Sequence, residues 1–311
     1  MHHSISSHHP RDALVRMDPV SHRYYYTSPI TGEEVKIRQS VTETISSFFK
    51  PFNSKSISAR SAEKIDTNNR FSNDEVARIL RDGWKANASA AASRGIKLHS
   101  MVERYLLYGN YTSTEETEEP PPPPPVTRSE LNVKMFPNCN LREDVFQAIL
   151  ANEKVPPPNP QTKGGIGNQF EMWMKWYIEN GKLRFGELYR SEWTVYTDDL
   201  KFGGQIDAIF LDASTNRYTL IDWKFVKNHS SISPKDSHDK SIRGPFTGLL
   251  PDTKFMRYSL QLNSYRFILK MYYGIEVDDM IIVNTNEDSV REFSVPKIPI
   301  DEIGKIFLKL T

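Results

Sequence analysis

Six consecutive prolines, Pro120–Pro125, constrain this chain more than any other feature. Proline lacks a backbone N–H and fixes φ, so six in a row exclude both a helix interior and a paired strand. They follow an acidic run from Thr112 to Glu119, and a second proline cluster spans Val155–Pro160, just before Gly164, Gly165 and Gly167. The stretch LREDVFQAIL between the clusters has room for one short helix. Residues 110–165 are therefore expected to be a proline- and acid-rich insertion or linker. The folding information then lies in the segments on either side of it.

Those segments can build a core, since 38% of the 311 residues are hydrophobic and 11% aromatic. No run approaches the roughly 18 apolar residues of a membrane span, so a soluble chain with no membrane partner is expected. An intracellular location goes with that, with cytoplasm, nucleus and mitochondrion left open. Cys139 is the only cysteine. It excludes a disulfide framework and any cysteine-held iron–sulfur cluster within this chain. Residues 1–20, with His2, His3, His8 and His9 among serines, read as a flexible N-terminal tail.

Periodicity supplies the elements. HRYYYTSPITGEEVKI (22–37) suggests two short strands about a Pro-Gly turn, and a helix is expected over Val41–Phe49. Ser72 or Asn73 is placed to cap a second helix, and Ser93–Tyr108 supports a third. Beyond the insertion, NQFEMWMKWYIENG reads as an aromatic helix ending at Gly181. Three strand-like runs follow: ELYRSEWTVYT, FGGQIDAIFLD and NRYTLIDWKFV. A helix at Thr253–Tyr273, strands at DDMIIVN and REFSV, and a helix from Asp301 complete the chain. The expected class is α/β (α+β), a central mixed sheet flanked by helices, with residues 21–109 as an N-terminal helical part and 166–311 as the main core.

The chemistry gathers on two of these strands. Period two puts Asp222 and Lys224 on one face of RYTLIDWKFV, with Ile221, Trp223 and Phe225 on the other. One strand earlier, Asp207 shares a face with Gln205 and Ile209. A turn at Ala213–Asn216 allows a hairpin that brings Asp207 beside Asp222. Two adjacent carboxylates repel, which a divalent cation relieves, and hard oxygen ligands suit Mg²⁺ or Mn²⁺. The acid-x-Lys pattern also occurs at Glu34–Lys36 and Asp252–Lys254, but only Asp222 lies in an apolar strand that follows another strand with an embedded acid. On the pattern alone, a structural ion pair remains the alternative.

The ordered set Gly-Gly-x-Ile-Asp207, Ile-Asp222-Trp-Lys224 and Gln261-x-x-x-Tyr265, with RGIKLHSMVERYL around His99 upstream, resembles the PD-(D/E)XK nuclease superfamily. Within it the likeness is to RecB-like exonucleases, and it spans about 94–108 and 187–284. That resemblance implies a restriction-endonuclease-like core. It also implies a metal held by Asp207, Asp222 and the carbonyl following Asp222, with His99 as a further ligand and Glu192 as the weakest candidate. Asp207, Asp222, Lys224 and Gln261 would be the catalytic set, with Lys224 orienting or deprotonating the attacking water. The cofactor would be Mg²⁺ or Mn²⁺. His99 paired with Glu103 one helical turn on is the plainer reading of that histidine.

Charge favours a phosphate-rich partner. Residues 217–270 hold ten basic and four acidic side chains in a chain of net +1. Arg94, Lys227, Arg243, Lys254 and Arg257, together with Tyr265, are the candidate nucleic-acid contacts, and Lys227–Lys254 reads as a loop beside the site. Trp173, Trp176 and Tyr177 read as core, with base stacking as the alternative. The expected partner is DNA, single-stranded or with free ends, with RNA not excluded and a protein ligand conceivable for the proline tract. The expected activity is exonucleolytic DNA hydrolysis in replication, repair or recombination. The rival is a non-catalytic nucleic-acid-binding or scaffolding protein on the same fold. No motif of a serine hydrolase, zinc protease or P-loop nucleotidase is present.

Overall fold

The turn that joins the two acid-bearing strands organises the sheet. A computed structural model of the chain describes residues 9–18, 21, 23–65, 71–108, 166–232 and 250–308. Strands β1 (Val15–Asp18), β2 (Arg23–Thr27) and β3 (Glu34–Lys36) form a small antiparallel sheet. β4 (Gln39–Ser40) leads into helix α1 (Val41–Phe48), then come α2 (Ser54–Ala62) and α3 (Asn73–Tyr108). After the insertion come α4 (Ile166–Trp176), a π-helical turn (Tyr177–Gly181) and α5 (Lys182–Phe185). β5 (Glu187–Tyr196), β6 (Phe202–Asp212), β7 (Arg217–Lys224), α6 (Lys254–Tyr273), β8 (Val277–Thr285), β9 (Val290–Ser294) and α7 (Ile300–Leu308) follow.

β6 and β7 pair antiparallel across a turn in which Asp212 accepts hydrogen bonds from the Ser214 N–H, the Ser214 hydroxyl and the Thr215 hydroxyl. β5 pairs antiparallel with β6, and β4 adds a short parallel pairing to it. β7 and β8 are parallel, so a crossover is needed, and α6 supplies it. β9 returns antiparallel on β8. The result is a mixed sheet flanked by helices, in agreement with the expected fold class. Leu260, Ile268 and Leu269 of α6 join Leu220 and Ile282 of the sheet, Ile45 of α1 and Phe307 of α7 in one buried cluster. Trp173, Tyr177 and Phe185 pack by their rings on Trp223 and Phe210. Each large apolar side chain so buried contributes about 1.5–3 kcal/mol.

The described residues fall into two compact units. One draws on Met1–Pro51, Leu98–Gly109 and Gly167–Thr311, the other on Phe52–Lys97 and Asn110–Ile166. The second has its own core of Ala62, Ile65, Phe71, Val76, Ala77, Ile79 and Leu80. The N-terminal part expected over 21–109 contributes residues to both units.

Three local expectations change. The helices expected from Asp74 and from Ser93 are one helix, α3, because alanines at 86, 88 and 90–92 carry it through with no proline to stop it. Its N-terminus is capped reciprocally by Ser72 and Glu75. Gly181 keeps helical angles, and the chain leaves the helix at Gly186, whose φ of 80° suits only glycine. An added Cβ there would lie 2.4 Å from the Leu211 carbonyl.

The N-terminal stretch is not a free tail from residue 9 onward. Arg11 stacks 4.2 Å from the Tyr196 ring centre and pairs with Asp198, the Trp193 indole donates to Asp12, and β1 pairs with β2. Residues 1–8 and LREDVFQAIL lie outside the described residues. Among the described residues, no helix is long and apolar enough to cross a membrane.

Candidate functional site

Three neighbouring strands and the last turns of α3 bring the acids together. β5 and β6 run in a register that sets Ser191 opposite Ala208 and Trp193 opposite Ile206, which leaves Glu192 facing Asp207. β6 and β7 place Ala208 opposite Ile221, so Asp207 comes level with Asp222. The Asp207 carboxylate accepts the Trp223 N–H at 2.8 Å, which locks it across the strand pair. His99 points its Nδ1 at Glu192 Oε1, 3.5 Å away, and at Asp207 Oδ2, 3.7 Å away. One ligand-capable atom from each of His99, Glu192 and Asp207 lies within 4.8 Å of the others. A hard divalent ion fits such a set of one imidazole and two carboxylates.

Asp222 stands beside this group but outside it. Its carboxylate lies 2.6 Å from the Lys224 ammonium and is 3% exposed. The contact is a close ion pair rather than an aligned hydrogen bond, since that oxygen meets no hydrogen-bond geometry. Lys224 also donates to the Trp223 carbonyl at 3.3 Å and lies 4.8 Å from the Tyr258 ring centre. Of the expected ligand pair, Asp207 lies in the three-residue group and Asp222 lies beside it. Glu192, the weakest candidate, sits in the three-residue group, while the carbonyl after Asp222 is engaged by Lys224.

Electrostatics follow from burial and from excess negative charge. Burial raises the Asp222 carboxyl, against the pull of Lys224. Burial would lower Lys224, but Asp222 and Asp207 outweigh it and hold the ammonium charged, above its ordinary value. Burial likewise opposes a charged His99, and Asp207 with Glu192 prevails, raising it. Glu103 is raised by burial and then by Glu192. Tyr24 of β2 is raised by burial and by the same carboxylate. Tyr24 had no signal in the sequence, because nothing in RYYYT tells which tyrosine faces an acid.

The remaining candidates separate. Gln261 is partly buried on α6 and hydrogen-bonds Tyr265, whose hydroxyl burial raises well above its ordinary value. Tyr265 is 3% exposed, and an added Cβ on Gly204 would meet its hydroxyl at 2.7 Å. Direct contact with nucleic acid is therefore corrected to a supporting role: Tyr265 lies against the Gly-Gly segment beneath the site. Arg257 stacks on Phe49 at 4.6 Å, Lys254 and Lys227 are exposed, and Arg94 belongs to the second unit. Arg243 lies outside the described residues.

The basic excess is also smaller in effect than its count. Arg217 pairs with Asp279, Lys270 with Glu276, and Arg266 is buried against the Ile298 carbonyl. The loop expected from Lys227 begins as a short 3₁₀ turn, His229–Ser231, with Ile232 fully buried. Trp173, Trp176 and Tyr177 are buried, which leaves them core rather than base-stacking platforms.

A second constellation resembles a hydrolase triad: His229 Nε2 lies 2.9 Å from Ser289 Oγ and Nδ1 lies 2.7 Å from Asn284 Nδ2. Asn284 Oδ1 accepts the Val226 N–H, which turns its amide nitrogen toward His229. Nδ1 must then accept, so Nε2 carries the proton and cannot take one from Ser289. This row is a structural clamp.

No protein-family model and no curated protein matches this chain. Among solved structures, that of SSO0001 is similar at 13% identity and a TM-score of 0.28, the match covering 47% of this chain and 60% of that one.

Proposed function

We propose that this chain is a Mg²⁺- or Mn²⁺-dependent deoxyribonuclease of the PD-(D/E)XK superfamily, RecB-like branch, on a restriction-endonuclease-like core. Its substrate would be DNA with single-stranded ends, trimmed exonucleolytically in replication, repair or recombination. One observation carries this reading: His99, Glu192 and Asp207 converge within 4.8 Å beside a buried Asp222–Lys224 pair. Glu192 raises Glu103, and Asp207 raises both Asp222 and His99, a concentration of negative charge that a divalent cation relieves.

In this reading Glu192, Asp207 and His99 hold the cation, and Asp222 completes its negative wall. The cation would acidify the attacking water and neutralise charge on the phosphate. Lys224, kept charged by its acids, offers an ammonium to a phosphate oxygen. Gln261 reaches the site from α6, braced by Tyr265.

End-labelled single- and double-stranded DNA and RNA, incubated with Mg²⁺ or Mn²⁺, test the proposal. Cleavage that stops in EDTA and in Asp222→Asn is expected. Cleavage that persists in either, or tight DNA binding with no cleavage in any metal, would reject it, the latter in favour of a scaffolding role.

A further inference from the structure

Glu192 lies in the middle of β5 with a φ of 45°, a left-handed conformation that a side chain with a Cβ avoids. Such strain persists only where neighbours enforce it. The neighbour here is Gln205 of β6, whose Nε2 donates to the Glu192 carbonyl at 3.1 Å. Next to it, the Ser191 hydroxyl donates to the Asp207 carbonyl at 3.2 Å. The two strands are thus tied by side chains on either side of the two acids that face His99.

We infer that Gln205 is a positioning residue: its amide holds the Glu192 backbone in the left-handed state and so delivers the Glu192 carboxylate to the group with His99 and Asp207. Without that bond, the strained residue relaxes toward ordinary strand angles and its carboxylate leaves the cluster. Gln205 and Asp207 are two apart on one strand, so the strand that supplies one acid also sets the second. The inference rests on the metal-centre reading above and names a residue acting through Glu192 rather than on the metal.

The test is Mn²⁺ affinity of the full chain, measured by electron paramagnetic resonance. The variants are Glu192→Ala, Gln205→Met (similar volume, no donor), the double variant, and Gln205→His, whose Nε2 reaches as far and can donate. Supporting partners of metal ligands commonly matter 10- to 100-fold. Gln205→Met is therefore expected to weaken Mn²⁺ about 10-fold and Gln205→His much less, and the double variant should bind no worse than Glu192→Ala alone. Wild-type affinity in Gln205→Met, or two losses that multiply in the double variant, would overturn the inference and leave the metal centre standing. Equal losses in Gln205→His and Gln205→Met would overturn it too, since the donor would then not matter. Absence of any Mn²⁺ binding by the wild type would overturn the metal-centre reading and this inference with it. Thermal unfolding of each variant confirms that the comparison is between folded chains.

Discussion

Replacing Lys224 by methionine keeps the aliphatic stem and removes the charge that faces Asp222. At 2.6 Å, the pair's attraction is about 6 kcal/mol for an effective dielectric near ~20. Part of that returns, because a buried ammonium no longer needs desolvating. The expected loss is about 3–5 kcal/mol, the usual range for stranding one partner of a buried pair. That loss carries a pH signature. Burial already raises Asp222 in the wild type, and without Lys224 its folded pKa rises further. A group raised on folding stabilises fully below its unfolded pKa and loses that contribution as pH rises through its folded pKa.

The penalty of Lys224→Met should therefore be largest at alkaline pH and shrink by about 1.4 kcal/mol per pH unit across the window between the wild-type and variant pKa values. A loss of 3–5 kcal/mol makes that window about 2–4 units wide. Below it, where Asp222 is neutral in both proteins, the penalty falls to what Asp207 and the Trp223 carbonyl still contribute to holding Lys224. Urea unfolding in EDTA at several values between pH 5 and 9 measures this. A penalty that is the same at every pH would refute the account of the pair as buried, coupled charges.

Other expected outcomes test the frame around the site. Gly204→Ala should cost about 1–3 kcal/mol in thermal unfolding, because its Cβ would meet the Tyr265 hydroxyl at 2.7 Å and Cε1 at 2.9 Å. Adding Tyr265→Phe should restore part of that loss, and an Ala variant as stable as the wild type would contradict the packing. Asp212→Ala should weaken the β6–β7 turn at neutral pH. The Ser214 and Thr215 hydroxyls hold this carboxyl down at about 2, so its contribution is present above the ordinary value of 3.8 and lost as pH falls through about 2. Acid-unfolding curves of wild type and variant should converge there. Asn284→Leu should cost about 2–3 kcal/mol and strip hydrogen-exchange protection from the Val226 N–H, because that donor loses its Asn284 oxygen. Retained protection would mean the clamp is not what holds the segment after β7.

Sequence alone determined the strands that carry the chemistry. Alternation along FGGQIDAIFLD and RYTLIDWKFV, with a turn of small polar residues between, is a local property, and it sufficed to bring Asp207 level with Asp222. The Asp222–Lys224 pair was legible for the same reason, since residues two apart on a strand share a face. The helix expected at Thr253–Tyr273 is the crossover helix from Lys254 to Tyr273, capped by Thr253. What local pattern does not carry is which distant side chain arrives at a given face. Glu192 entered the cluster through a left-handed residue and a β5–β6 register that no spacing in RSEWTVY encodes. Spacing puts Gln261 and Tyr265 on one helical face, but it does not tell that Gly204 lets the sheet approach so closely that Tyr265 is buried. Three of the basic residues counted toward a phosphate groove are engaged elsewhere by Asp279, Glu276 and the Ile298 carbonyl. Charge and periodicity are properties of short segments, whereas burial, pairing and strain depend on which segments meet, and only the folded chain decides that.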